Sequence, residues 1–282
     1  MNIPTVVLNR QTKISAKLKE VTKEQVIEAL RVVGVQPGDG LLVHSALQFL
    51  GRPSPSQGEV GLYLDALRFT QGETGTIVVP TFNFAFARGE PYDPQSTPAA
   101  GMGAFSEFVR QQPGARRTSH PLQSLAVIGC YADDLAERDT PSAFDPGSAF
   151  ERMCKLGFKI LLLGADIDAV SLIHYSEQRL NVPYRYWKDF TGKVKVRPHP
   201  GPLPREDGEV WEDRTYRMYV RDLDLDPHLT LHPVRDEMIA KGLIHSVPLN
   251  YGQISLLDMA EFVPIVDRFL AEDPYSLMKK ES

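Results

Sequence analysis

The stretch Lys159–Arg179, KILLLGADIDAVSLIHYSEQR, carries the residues best suited to chemistry. His174 and Glu177 stand three positions apart, so on a helix they share one face and their side chains meet. A histidine held by a carboxylate can take up a proton, which is the work of a general base. An ordinary helix salt bridge uses the same spacing, and the motif alone leaves both readings open. The apolar run Ile160–Leu163 before it reads as a strand buried on both faces, ending at Gly164. Asp166 and Asp168 then offer N-caps for the helix that carries His174. Ligands of open α/β sheets sit beyond strand ends, and this helix starts there.

Two other loops carry groups of use. VHSAL at 43–47 follows a strand expected at Leu41–His44 and holds His44, Ser45 and Ala46. RRTSHPLQS at 116–124 supplies the cations Arg116 and Arg117, the hydroxyls of Thr118, Ser119 and Ser124, and His120. Guanidinium forks match phosphate oxygens, although paired arginines also suit a solvated turn. His120 could equally be a loop histidine satisfied by backbone.

The elements that must position these groups follow from periodicity. Thr22 and Gln25 fit a capping box ahead of a helix bearing Val26, Ile27, Leu30 and Val33. Further helices are expected at Gly58–Leu67, Phe105–Arg110, Asp236–Lys241 and Ser255–Leu270, and strands at Gly75–Pro80, Leu125–Gly129 and Lys159–Gly164. Residues 88–101, rich in Pro and Gly, read as a surface excursion. The alternation predicts an α/β fold, with a central mixed, largely parallel sheet, helices on both faces and a smaller C-terminal β-rich subdomain. The expected division is a core at 1–179, an acceptor-side β-rich part at 180–250, and a C-terminal helix at 251–282 packing back on the core.

Composition narrows the class. The 282 residues are 42% hydrophobic, enough for a full core without metal or disulfide staples. A net charge of −5 argues against nucleic acid as a partner. Cys130 and Cys154 are the only cysteines; they show no metal-ligand spacing and are expected to be reduced and buried. The start MNIPTVVLNRQTK lacks an apolar signal region, and no apolar run approaches a membrane span. A cytoplasmic protein with no metal and no membrane partner is expected, and a homodimer is compatible with the sequence.

Five segments in order, VHSAL at 43–47, GTIVVPTF at 75–82, RTSHPLQS at 117–124, LLLG at 161–164 and SLIHYSE at 171–177, resemble the motifs of the aminoglycoside 3-N-acetyltransferase family, a fold distinct from the common GNAT acetyltransferases. The resemblance spans roughly residues 20–190. Ala46, Ser171 and Ser176 depart from the residues usual in that family. The resemblance implies an N-acyltransferase using acetyl-CoA or another acyl-CoA. It implies His174 as general base, Glu177 as its support, and His120 and Ser124 as further catalytic residues. The coenzyme would be lined by His44, Ser45, Ala46, Phe82, Thr118 and Ser119, with Arg116 or Arg117 at phosphate. Ser45–Ala46 amides or the Ser124 hydroxyl would serve the oxyanion.

The acceptor is open from the sequence. Tyr184, Arg185, Tyr186, Trp187 and Lys188 place aromatics beside cations and lean toward a nucleotide-linked amino sugar, with Tyr184, Arg185 and Trp187 touching it. A packing strip is the plainer reading. Asp222, Asp224 and Asp226 would instead meet a cationic aminoglycoside antibiotic, unless they are a solvated face. A metal-dependent hydrolase built from His120, His174, Glu177 and Asp166 is a further alternative, though it lacks a close His pair. A non-catalytic binding protein would not need both His174 and Glu177.

Overall fold

The computed structural model describes residues 19–53, 59–196, 210–225 and 228–279. The start of the chain, Gly58, the prolines at 198, 200, 202 and 204, and Asp226 lie outside the described residues. Apart from a short parallel pair, Glu20–Val21 with Arg52–Pro53, the strands are β1 (Gly40–Ser45), β2 (Thr76–Pro80), β3 (Arg116–Arg117), β4 (Leu125–Gly129), β5 (Lys159–Leu163), β6 (Arg185–Val196), β7 (Val210–Arg221), β8 (Ile244–Leu249) and β9 (Gly252–Asp258). The helices are α1 (Lys23–Val32), α2 (Gly61–Gln71), α3 (Gly103–Arg110), α4 (Ala132–Ala136), α5 (Ala149–Lys155), α6 (Ile173–Arg179), α7 (His232–Ala240) and α8 (Met259–Glu272).

One sheet runs in the order β8-β9-β5-β1-β2-β4-β3. Its central strands β1, β2 and β5 are largely apolar because both faces are covered. Leu41, Val43, Ile77, Val79, Leu161 and Leu163 face a cluster with Leu30 of α1, Leu62 of α2 and Phe105 of α3. Their neighbours Leu42, Val78, Ile160 and Leu162 face the opposite cluster, with Phe150 of α5, Ile173 of α6, Met238 of α7 and Phe262 of α8. Each fully buried Leu or Ile is worth about 1.5–3 kcal/mol.

The sheet is less parallel than its sequence pattern predicts. Only β5-β1 and β1-β2 run parallel. β4 lies antiparallel to β2, and β9 antiparallel to β5. The reversal at β9 comes from the hairpin β8-β9, turned at Asn250, whose φ of 57° is left-handed. The expected helix at Ser255–Leu270 is likewise corrected. Ser255, Leu256 and Leu257 belong to β9, and the helix begins at Met259. Ile254 and Leu256 join one cluster and Leu257 the other, so the segment alternates as a strand between two cores.

The capping box forms as expected, with Gln25 N donating to Thr22 Oγ1 at 3.2 Å and Thr22 N to Gln25 Oε1 at 2.9 Å. The Asp166–Asp168 caps fall elsewhere. Asp166 caps the single turn Ile167–Ala169, while Asp168 accepts from Leu231 N at 2.6 Å and so holds the start of α7. Helix α6 has Leu172 at its N-cap, which supplies no side-chain cap. Cys130 is exposed rather than buried, and Cys154 is half-buried.

Within 180–250, the antiparallel ribbon β6-β7 forms its own sheet, while β8 rejoins the central one. The ribbon is seated by Phe86, Tyr92, Leu122, Val194 and Tyr216. The excursion at 88–101 is tied to it, since Tyr92 N donates to Lys193 O and Lys195 N to Tyr92 O, both at 2.9 Å. Among the described residues no helix is long and apolar enough to cross a membrane.

Gly164 ends β5 with φ +71°, and a Cβ there would stand 2.7 Å from Ala46 O and 3.0 Å from Leu50 Cγ. Gly164→Ala therefore meets both a left-handed backbone and a collision with the β1 end. It should cost at least about 2 kcal/mol, read as a lower urea midpoint with unchanged m-value.

Candidate active site

The end of β5 and helix α6 are linked by the Gly164 bend and the turn at Asp166. α6 buries Ile173, Ser176 and Glu177 against the core and leaves His174 half-buried at its edge. His174 Nδ1 and Glu177 Oε2 are 2.5 Å apart, a short charge-assisted contact. With Nδ1 engaged, Nε2 is the ring nitrogen left for a substrate's proton. Phe144 meets the imidazole edge-on, with ring centroids 5.8 Å apart. Its loop is held to α6 by Ser142 Oγ donating to Gln178 Oε1 at 2.6 Å and Gln178 Nε2 donating to Asp145 Oδ1 at 2.8 Å.

Glu177 is fully buried. Burial pushes its carboxyl toward a higher pKa, but the His174 imidazole and the Arg185 guanidinium outweigh it and hold the group below the ordinary carboxylate value. Arg185 reaches in from β6, with Nε 2.9 Å from Glu177 Oε2. Glu177 Oε1 has no hydrogen-bond partner among the described residues.

A groove of about 570 Å³ opens at the C-terminal end of β1, lined by Ser45, Gln48, Arg52, Glu59, Gly103 and Ala104 among others. Gly101 and Gly103 hold φ of +76° and +82°, and Gly103 begins α3. The free amides of a helix start beside a cation suit an anionic ligand. The sequence reading missed Arg52 and this segment. The signal was the GMG at 101–103 directly ahead of an amphipathic helix.

The loop at 116–124 does not reach that groove as a ligand-binding loop; it is an internal knot. Arg116 and Arg117 lie on a two-residue strand, so their side chains alternate. Arg116 is exposed and pairs with Asp133 at 2.8 Å. Arg117 is buried and donates to Thr81 O at 2.6 Å, Ser124 Oγ at 3.0 Å, Thr81 Oγ1 at 3.1 Å and Thr97 O. Ser124 is wholly buried and donates to Thr81 O at 2.9 Å, which leaves no hydroxyl for an oxyanion. Thr118 Oγ1 accepts from Leu125 N at 2.9 Å, and Ser119 is half-buried. His120 Nδ1 accepts from Gln123 N at 3.1 Å, so Nε2 carries the proton and faces Arg217 O at 3.4 Å on β7. It latches the ribbon rather than joining His174.

Of the first loop, Ser45 lines the groove. His44 is buried, and its Nε2 has no partner among the described residues. The Ala46 amide is taken by Leu163 O at 2.9 Å, so it is not an open oxyanion donor. Phe82 lies in the core. In the aromatic–basic strip, Tyr184 is fully buried beside Tyr275, with centroids 5.8 Å apart. Arg185 faces Glu177. Trp187 alone of the three is exposed, stacked between Tyr219 at 5.0 Å and Arg217 at 4.9 Å. Of the two cations of this strip, Arg185 is paired with Glu177, while Lys188 lies over the Phe190 ring at 5.4 Å. The hydrolase constellation does not assemble either, since Asp166 contacts His232 at 3.1 Å and His120 is bonded to backbone. Asp222 accepts from Asp224 N in a turn after β7.

Two predictions follow from this geometry. Arg117→Met strands several buried acceptors and should cost roughly 2–4 kcal/mol, whereas Arg116→Ala should stay within about 0.5 kcal/mol and leave the KM for acyl-CoA unchanged. Urea melts and initial rates on the pair decide this. Burial pushes His44 and His120 each down to about 4. An unfolded chain takes up those protons near pH 6.5, so the contribution is complete above about 6.5 and lost as pH falls toward 4. Stability should drop by roughly 2 kcal/mol per histidine from pH 7 to pH 5, and His120→Gln should remove about half of that drop.

Residues 42–271 match the sequence profile of a family described as aminoglycoside 3-N-acetyltransferase. An aminoglycoside N(3)-acetyltransferase III from Salmonella is 34% identical over 207 residues, covering 67% of this chain and 68% of that protein. The structure of an AAC-VIa enzyme bound to sisomicin superposes with a TM-score of 0.73 at 26% identity, covering 90% of this chain and 98% of that one. An AAC-IIIb structure with CoASH gives a TM-score of 0.76 at 21% identity, covering 94% and 100%, a likeness of fold.

Proposed function

The chain belongs to the aminoglycoside 3-N-acetyltransferase family, and from that premise we propose that it moves the acetyl group of acetyl-CoA onto an amine of an aminoglycoside-type amino sugar. The observation that carries this is the His174–Glu177 pair, a half-buried imidazole held at 2.5 Å by a fully buried carboxylate beyond a strand end.

An amine attacks only as its free base, so a group must take its proton. His174 Nε2 is placed for that, because Nδ1 is fixed by Glu177. As the imidazole charges, the carboxylate beside it stabilises the cation in a site that excludes water on one side. Acetyl-CoA, as co-substrate, supplies the activated acyl group. The residues fitted to its anionic portion are Arg52 and the amides that open α3 at Gly103 and Ala104, with Ser45 at the β1 end. These replace Arg116 and Arg117 in that role. A cationic acceptor suits the net charge of −5. With Arg185 engaged by Glu177 and Tyr184 in the core, little supports a nucleotide-linked acceptor, and sisomicin-type amines are the class to test.

Acetyl-CoA with sisomicin, followed by thiol release, tests the reading. His174→Ala and Glu177→Gln should each lower kcat by about 10²–10⁴ while the Kd for CoA stays within about threefold. Wild-type turnover in His174→Ala would defeat it.

A further inference from the structure

Arg185 sits on the ribbon, outside the catalytic helix, yet its side chain is nine-tenths buried with Nε 2.9 Å from Glu177 Oε2. That same oxygen receives His174 Nδ1 at 2.5 Å. One carboxylate oxygen is therefore shared by an imidazole and a guanidinium. The Arg185 N–H is not aimed along the contact, so charge rather than hydrogen-bond direction couples them. Its Nη1 donates to Tyr219 O at 3.4 Å, and its guanidinium lies 6.0 Å from the Tyr184 ring centroid.

We infer that Arg185 is a positioning residue that divides the charge of Glu177, so that His174 gives up its proton readily after each turnover. The inference rests on His174 being the base. The reasoning is electrostatic. A buried carboxylate facing only an imidazole would bind the extra proton of the pair tightly, whichever of the two held it. A permanent guanidinium charge on the same oxygen offsets that attraction and repels the imidazolium. The pair then empties of its proton at lower pH, and His174 is restored as a base.

Other charges near the pair do not perform this task. Arg179, on the same helix, pairs with Asp267 of α8. Asp145, from the Phe144 loop, is engaged by Gln178 Nε2 and Ser142 N. Tyr219, across on β7, donates its hydroxyl to Val182 O at 2.6 Å, and Tyr175 lies under the Arg179 guanidinium at 4.9 Å. Phe144 brings no charge to the imidazole.

The test follows the His174 ring proton by NMR against pH in the full-length protein, with acetyl transfer from acetyl-CoA to sisomicin as the second readout. In Arg185→Met the His174 titration midpoint and the acid limb of kcat/KM should both move up by about one pH unit or more. Arg185→Lys, which keeps the charge, should return both most of the way. If Arg185→Met does not fold, the double variant Glu177→Gln/Arg185→Met removes both charges of the pair. Its midpoint should lie above that of Glu177→Gln, where the guanidinium faces the imidazole unopposed. A midpoint unmoved by the loss of Arg185 in either background, or moved equally by Lys and Met, overturns the inference. If the midpoint moves as stated but His174→Ala retains wild-type turnover, the charge division stands and the base assignment fails.

Discussion

A carboxylate sealed from water is the constraint on which this site depends. Burial opposes the ionisation of Glu177 by several kcal/mol unless groups that favour its charge stand close. The fold answers with His174 on the same helix and Arg185 from a separate ribbon. The ribbon must therefore be seated accurately. His120, through the Arg217 carbonyl, and Tyr216, in the small Phe86–Leu122 cluster, bind it to the loop before β4.

That seating explains why the loop at 116–124 is built as a polar knot. Arg117 is buried with no carboxylate among the described residues in contact, and is satisfied by carbonyl and hydroxyl oxygens of 81, 97 and 124. Burial pushes its pKa downward, and the Tyr92 ring under the guanidinium, at 5.2 Å, compensates in part. The excursion at 88–101 closes over this cation and runs on to the ribbon. The loop at 116–124 in this way links the central sheet to the ribbon that carries Arg185.

The opposite arrangement holds at the β1 end. There Gly101 and Gly103 take left-handed φ values, and the groove is lined by Ser45, Arg52 and the start of α3. A coenzyme-sized anionic ligand asks for exposed donors, whereas a buried knot consumes them. The distinction between two arginine-bearing loops is thus one of burial, and burial is a property of the assembled sheet.

The sequence by itself determined the parts whose physics is local. The strand at 159–163, the capping box at Thr22, and the meeting of His174 with Glu177 depend on helical and strand periods and on apolar runs, all legible in a single chain. The order of five motifs was enough to indicate the family. What only the tertiary structure decided was long-range: that β9 is a strand because two cores face it, that β4 and β9 run antiparallel, and that Asp168 caps α7 rather than α6. It also decided that Arg117, Ser124 and His120 are hydrogen-bonded within the fold, and that Arg185 meets Glu177 from a separate ribbon. Charge partners separated by eight or by a hundred residues look alike in sequence. Which of them are desolvated together, and so bound by strong electrostatics, is set only when the layers close.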